Sequence, residues 1–201
     1  SRSESPLRPL SLRIISRQDF IIELNCPAVV CGISVLVFLP IEGYHTENQV
    51  DIFVMHEIFH ALHYTKRPEF FFKTTEEKEN FVRQLSTEGL ASYLTKITLN
   101  ISDQNALWSD YIPEKEARKW FKNCENELAI LFSEAKKMVK SGARNGDMFL
   151  SNDSKNIRKY RAGYFVGLKI IEKAVLKKNI TAHDLINMPR EEFEQLILET
   201  I

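Results

Sequence analysis

The stretch 46–64, TENQVDIFVMHEIFHALHY, decides how this chain is read. Thr46 followed three residues later by Gln49 is a capping box, so a helix opens there and runs to about Tyr64. Ile52, Met55, Phe59 and Leu62 recur at helical spacing and give that helix an apolar stripe. Inside it, His56-Glu57-Ile58-Phe59-His60 places two imidazoles one turn apart on a single face. Their nitrogens can converge on one ion. Zinc suits such a pair but needs at least one more ligand. Glu57 cannot easily be that ligand from the same turn, yet it can reach a water held by the ion. The competing reading is a chance match, with both histidines merely satisfied or exposed.

The next helix supplies a candidate for the missing ligand. Pro68 closes the first segment, and a second capping box, Thr74-Thr75-Glu76-Glu77, predicts a helix to about Ile97. Along it Phe81, Leu85, Glu88 and Ser92 follow the spacing of one inward face, where a carboxylate is costly unless paired or metal-bound. Gly89 comes next; a helix-interior glycine makes sense where another backbone must approach. Glu88 is the expected third ligand, with a buried salt bridge to an Arg or Lys as the alternative. His63 would crowd a site already taking two ligands from the same short stretch, and His45 and His183 read as surface residues.

The rest of the chain frames this pair of helices. Its 201 residues suit one hydrophobic core, and the expected organisation is a flexible lead-in over 1–10 followed by a single domain over 11–201. Strands are expected at Leu12–Ile15, Phe20–Leu24 and Val29–Leu39, the last broken by a turn or bulge at Cys31-Gly32. Val29–Leu39 could also present an edge to an extended substrate, although core burial is the simpler use. After a connection over Asn100–Tyr111, a long amphipathic helix is predicted from Pro113 to about Lys140, with Ala117, Phe121, Cys124, Leu128, Leu131, Ala135 and Met138 on one face. Ser141–Lys155 reads as a mobile loop or lid, Ile157–Lys178 as a helix, and Thr181–Ile201 as two short helices split at Pro189. The expected class is α+β, mostly helical, with a small N-terminal β-sheet packed on the helix that carries the histidines.

Composition narrows the partners. The 27 Lys+Arg cancel the 27 Asp+Glu, so no net positive field draws the chain to nucleic acid or anionic lipid. Cys26, Cys31 and Cys124 are too few and too irregular for a disulfide framework or a zinc ribbon. The longest apolar run, Pro27–Pro40, is too short to span a bilayer. The opening residues lack the pattern of a signal peptide, which leaves the compartment open between a soluble cytoplasmic protein and one secreted after processing.

Three motifs together carry a family resemblance: HEIFH at 56–60, Glu88-Gly89-Leu90-Ala91, and Gly163-Tyr164-Phe165-Val166-Gly167. The chain resembles the gluzincin metallopeptidases, and within them the small bacterial families of predicted zinc-dependent proteases that combine HExxH, a downstream EGLA and a late GYxxG helix. The likeness covers about Val29 to Ile197. It implies a zincin-like domain in which His56, His60 and Glu88 bind Zn2+ and Glu57 is the general base for hydrolysis of a peptide or protein substrate. Such sites often add a donor for the oxyanion, and Tyr164 is the first choice here, followed by Tyr160 and Arg161. Two other readings remain. HEIFHALHY also resembles injected effector proteases and repressor-cleaving proteases of narrow substrate range. Alternatively, the domain is catalytically silent and binds a protein partner.

Overall fold

The computed structural model describes residues 11–14, 19–24, 35–40, 46–108, 112–144, 146–150, 153 and 155–201. Three short strands come first: β1 (Ser11–Ile14), β2 (Asp19–Leu24) and β3 (Val35–Pro40). They form an antiparallel meander in the order β1-β2-β3, with Leu12 opposite Ile22 and Ile22 opposite Val37. The lead-in over 1–10, the Cys31-Gly32 turn, Cys26, Gly43, His45 and the first half of the Val29–Leu39 run lie outside the described residues.

From residue 46 onward the molecule is helical. α1 (Glu47–Lys66) opens on the expected capping box: Thr46 Oγ1 accepts from the Gln49 amide at 3.3 Å, and Gln49 Oε1 accepts from the Thr46 amide at 2.9 Å. A single-turn α2 (Thr75–Lys78) follows, then α3 (Phe81–Leu99), α4 (Asp103–Trp108), α5 (Glu114–Asn126), α6 (Leu128–Ser141), α7 (Ala162–Lys178), α8 (Ala182–Asn187) and α9 (Arg190–Thr200). α3 is the central element, touched by α1, α4, α7 and α9. Its buried Phe81, Leu85, Leu90 and Leu94 join Phe165, Leu168 and Ile171 of α7 and Phe193 and Ile197 of α9 in one continuous core.

The expected α+β class is corrected: the unit that holds the core and the candidate site is all-α. Every residue of the described core belongs to helices or connections beyond residue 51, and within 46–201 the only strand-type pairing among the described residues is an isolated bridge between Asn80 and Arg144. The β-branched content of the N-terminal region drew the class toward α+β, but among the residues whose burial is described helix-on-helix packing forms the core.

Several boundaries also differ from expectation, each for a local reason. The helix predicted from the second capping box divides, because Asn80 caps α3 afresh by accepting from the Arg83 amide at 3.0 Å. The connection over 100–111 contains α4, anchored by Asp103, which pairs with Lys96 and Lys169. The long helix from Pro113 breaks at Glu127 into α5 and α6. The buried face runs on through the break as expected at Ala117, Cys124, Leu131 and Ala135, with Phe121 and Met138 half-buried against the core and Trp120 and Val139 added to it, whereas Leu128, beside the break, stays on the surface. The helix predicted from Ile157 becomes one 3₁₀ turn, Ile157–Lys159, before α7 begins at Ala162. Much of the expected lid is tied down: Met148 is buried, and the Phe149 ring packs edge-on against Phe81 and Tyr164.

Two glycines decide how close the central helices come. A Cβ on Gly89 would stand 2.6 Å from the carbonyl carbon of Gly167, so α3 and α7 cross backbone to backbone. The expectation that Gly89 marks such an approach is met. That contact also locks the turn of α3 that carries Glu88.

Candidate metal centre

α1 and α3 bring three ligand atoms together. His56 Nε2 and His60 Nε2 lie 3.1 Å apart, His56 Nε2 lies 3.2 Å from Glu88 Oε2, and His60 Nε2 lies 3.4 Å from the same oxygen. The helical repeat explains the first distance, since residues four apart stack one above the other with side chains leaning the same way. The crossing of α1 over α3 explains the other two. All three side chains are largely buried, with Glu88 keeping 15% of its side-chain surface.

Hydrogen bonding alone does not account for this triangle. Each Nε2 carries at most one hydrogen and an ionised carboxylate carries none. Two of the edges can be bonded to Glu88, which leaves the nitrogen–nitrogen edge as two donors face to face. If one nitrogen gives up its hydrogen to accept from the other, the edge to Glu88 is lost. One cation at the centre satisfies all three atoms. Zinc bonds of about 2.0–2.1 Å in tetrahedral directions separate ligand atoms by roughly 3.3 Å, which matches the observed edges. Among the described residues, His56, His60 and Glu88 form the group able to hold a metal ion.

The electrostatics suit a cation as well. Burial works against the Glu88 carboxylate, but the charges and hydrogen bonds of His60 and His56 outweigh it and hold the carboxyl well below the usual range. Burial likewise opposes charge on His60, and the charge and hydrogen bond of Glu88, aided by the charge of Glu57, raise its pKa nonetheless. Negative charge is thus concentrated where positive charge is wanted.

The triangle faces a cavity of about 320 Å³ lined by Ile52, Phe53, His56, Glu57, His60, Tyr64, Glu88, Ala106, Leu107, Arg161 and Tyr164. Of the residues singled out from sequence, Glu57, Tyr164 and Arg161 all line it, and Tyr160 does not. Tyr160 precedes α7, and Arg161 between them takes a left-handed backbone with φ 59°, so the four-residue spacing to Tyr164 does not put the two rings on one face. Tyr160 turns instead to Trp108, ring centroids 5.2 Å apart, and its carbonyl accepts from Trp120 Nε1 at 2.6 Å. The negative charge of Glu88, then burial, push the Tyr164 phenol above its ordinary pKa, with Glu57 adding to the effect against the opposing charge of Arg161.

His63 is not part of the site. It is buried against Phe70 at 4.2 Å between ring centroids, and burial, with the charges of His60 and Arg67, lowers its pKa to about 3. His183 is exposed, as expected. Cys124 is buried and its thiol pushed up by burial and by Glu127 and Glu125, consistent with an inert packing role.

Sequence reasoning missed Tyr64 and the α4 wall. Tyr64 stacks on His60 with ring centroids 5.8 Å apart and planes 16° apart, and burial and the charges of Glu88 and Glu57 push its phenol upward. The signal was present: 56, 60 and 64 continue one helical face. Ala106 and Leu107 had no such signal, because their approach depends on the ion-paired anchoring of α4.

No described helix is long and apolar enough to cross a membrane. Comparison with curated proteins and with solved structures returned no match. A family model does match, over residues 28–195, or 168 of the 201 residues, and its description is predicted Zn-dependent protease (DUF2268). The matched span contains the whole ligand triangle and the cavity in front of it, and on that match the chain belongs to this family of predicted Zn-dependent proteases.

Proposed function

We propose that the protein is a gluzincin-type zinc peptidase in which His56, His60 and Glu88 hold the ion, Glu57 is the general base and Tyr164 is the oxyanion donor. The observation that carries the reading is the closed triangle of ligand atoms with edges of 3.1, 3.2 and 3.4 Å. Three ligands leave a tetrahedral ion one position free, which is the arrangement of catalytic rather than structural zinc. When bound there, the ion supplies a Lewis acid that polarises a peptide carbonyl and makes water acidic near neutral pH.

The chain's own residues do the rest. Glu57 follows His56 directly and lines the same cavity, so it is placed to take a proton from the attacking water as the oxygen bonds to the carbonyl carbon. The carbon–nitrogen bond then breaks, and Glu57 returns the proton to the leaving nitrogen. Tyr164, a neutral phenol at physiological pH, donates a hydrogen bond to the oxygen on which negative charge develops. Ile52, Phe53 and Leu107 give the cavity apolar walls that strengthen these charge interactions.

Metal analysis of the purified protein, together with hydrolysis of casein and a mixed peptide library by wild type and Glu57→Gln, tests the reading. The expected result is about one zinc per chain in both proteins and turnover in wild type only. Zinc bound by both with both equally inert would overturn it in favour of a partner-binding domain.

A further inference from the structure

Among the described residues, Arg161 is a cation left without an ion-paired anion. It caps α7 from a left-handed backbone, φ 59°, a conformation costly for any residue with a Cβ, and its own side chain does not cap the helix. The guanidinium is clamped instead: it lies 4.8 Å from the Trp108 ring centroid and 4.3 Å from that of Tyr164, and one Nη donates to the Leu107 carbonyl at 2.9 Å. Among the described residues no carboxylate stands within ion-pair distance of it. Its Nε is closed off from solvent with no hydrogen-bond partner, and the same is true of Nε1 of Trp108, on which it rests. A buried charge-bearing donor without an acceptor is expensive to keep, and a guanidinium still has several N–H groups to offer.

Arg161 also lines the metal cavity, together with the Tyr164 ring against which its guanidinium is stacked. Resting on the peptidase reading, we infer that Arg161 is a specificity residue that binds a substrate carboxylate beside the scissile bond. A carboxylate accepts only and matches the planar fork of a guanidinium, so it is the partner this cation lacks. It would come either from the free C-terminus of a peptide or from an Asp or Glu side chain. The cavity already contains Glu57 and Glu88, so a third acid enters only because a fixed cation lines it.

The test uses the full chain, stripped of metal and dialysed, and reads binding by calorimetry without turnover. The probes are N-acetyl-trialanine with a free C-terminus, its C-terminal amide, and acetyl-Ala-Glu-Ala amide. Wild type is expected to bind one or both carboxylate probes at least about tenfold tighter than the neutral amide. Arg161→Gln, which keeps a donor for Leu107, is expected to lose that preference, and Arg161→Lys to keep part of it. The probe that wins distinguishes terminus from side chain. Equal binding of all three by wild type, or a preference unchanged in both variants, overturns the inference. A carboxylate preference in a protein that hydrolyses nothing with zinc restored would keep Arg161 as a carboxylate-binding residue but sink the peptidase reading and, with it, its role in substrate specificity.

Discussion

At the scale of single residues, Glu57 and Glu88 are both acids of one cavity with separable tasks. Glu57→Gln is expected to leave zinc content unchanged while lowering kcat by about 10²–10⁴-fold, the usual span for a lost general base; metal analysis beside steady-state kinetics checks this. Glu88→Ala is expected to lose zinc itself, because two imidazoles from one helix then face an open corner; metal content after gel filtration measures it. His63 offers a pH signature. Its pKa is lowered to about 3 in the folded chain against 6.5 as the ordinary value, so below pH 6.5 the unfolded chain takes up a proton that the folded one refuses. Stability should therefore fall as pH drops from about 6.5 toward 3, by at most about 1.4 kcal/mol per pH unit from this residue. His63→Phe, which fits the aromatic setting of Phe70 and Phe193, should flatten that slope relative to wild type in urea titrations at pH 7, 6 and 5.

At the scale of elements, the site depends on how closely α3 and α7 cross. Gly89→Ala puts a methyl into the Gly167 backbone, and backbone cannot step aside as a side-chain end can. The expected outcome is a net loss of about 1–3 kcal/mol, with weakened zinc retention because Glu88 rides on the displaced turn; denaturant midpoint and metal content report the two effects. Gly163→Ala first meets the end of the Phe149 side chain, at 2.6 Å, and a ring can turn where backbone cannot, so it should cost less than Gly89→Ala. Element ends show what was legible in sequence. The capping box at Thr46 is found as written, and at Thr74 the side chain accepts from the Glu77 amide while Glu77 turns to the Lys73 amide instead of closing the box; a cap is a local contact among four residues. The left-handed Arg161 was not legible, because its guanidinium serves contacts with Leu107 and Trp108 of α4, far away in the chain.

At the scale of the molecule, an ion held by His56, His60 and Glu88 would bridge α1 and α3 as a cross-link that exists only in the folded state. Chelation is expected to lower the melting temperature and added zinc to restore it; at free zinc 1,000 times its Kd the difference amounts to about 4 kcal/mol, measurable by calorimetry with and without chelator. The sequence by itself determined the two histidines, the acid between them and the inward carboxylate of the next helix, because ligand spacing along a helix is fixed by its 3.6-residue repeat. It also marked Gly89 as a point of close approach. Only tertiary structure decided that the core is all-helical, that Tyr164 and Arg161 rather than Tyr160 reach the cavity, and that α4 closes its wall. Those outcomes turn on the crossing of α1, α3, α4 and α7, and such crossings are set by packing between residues far apart in the chain, which no local period records.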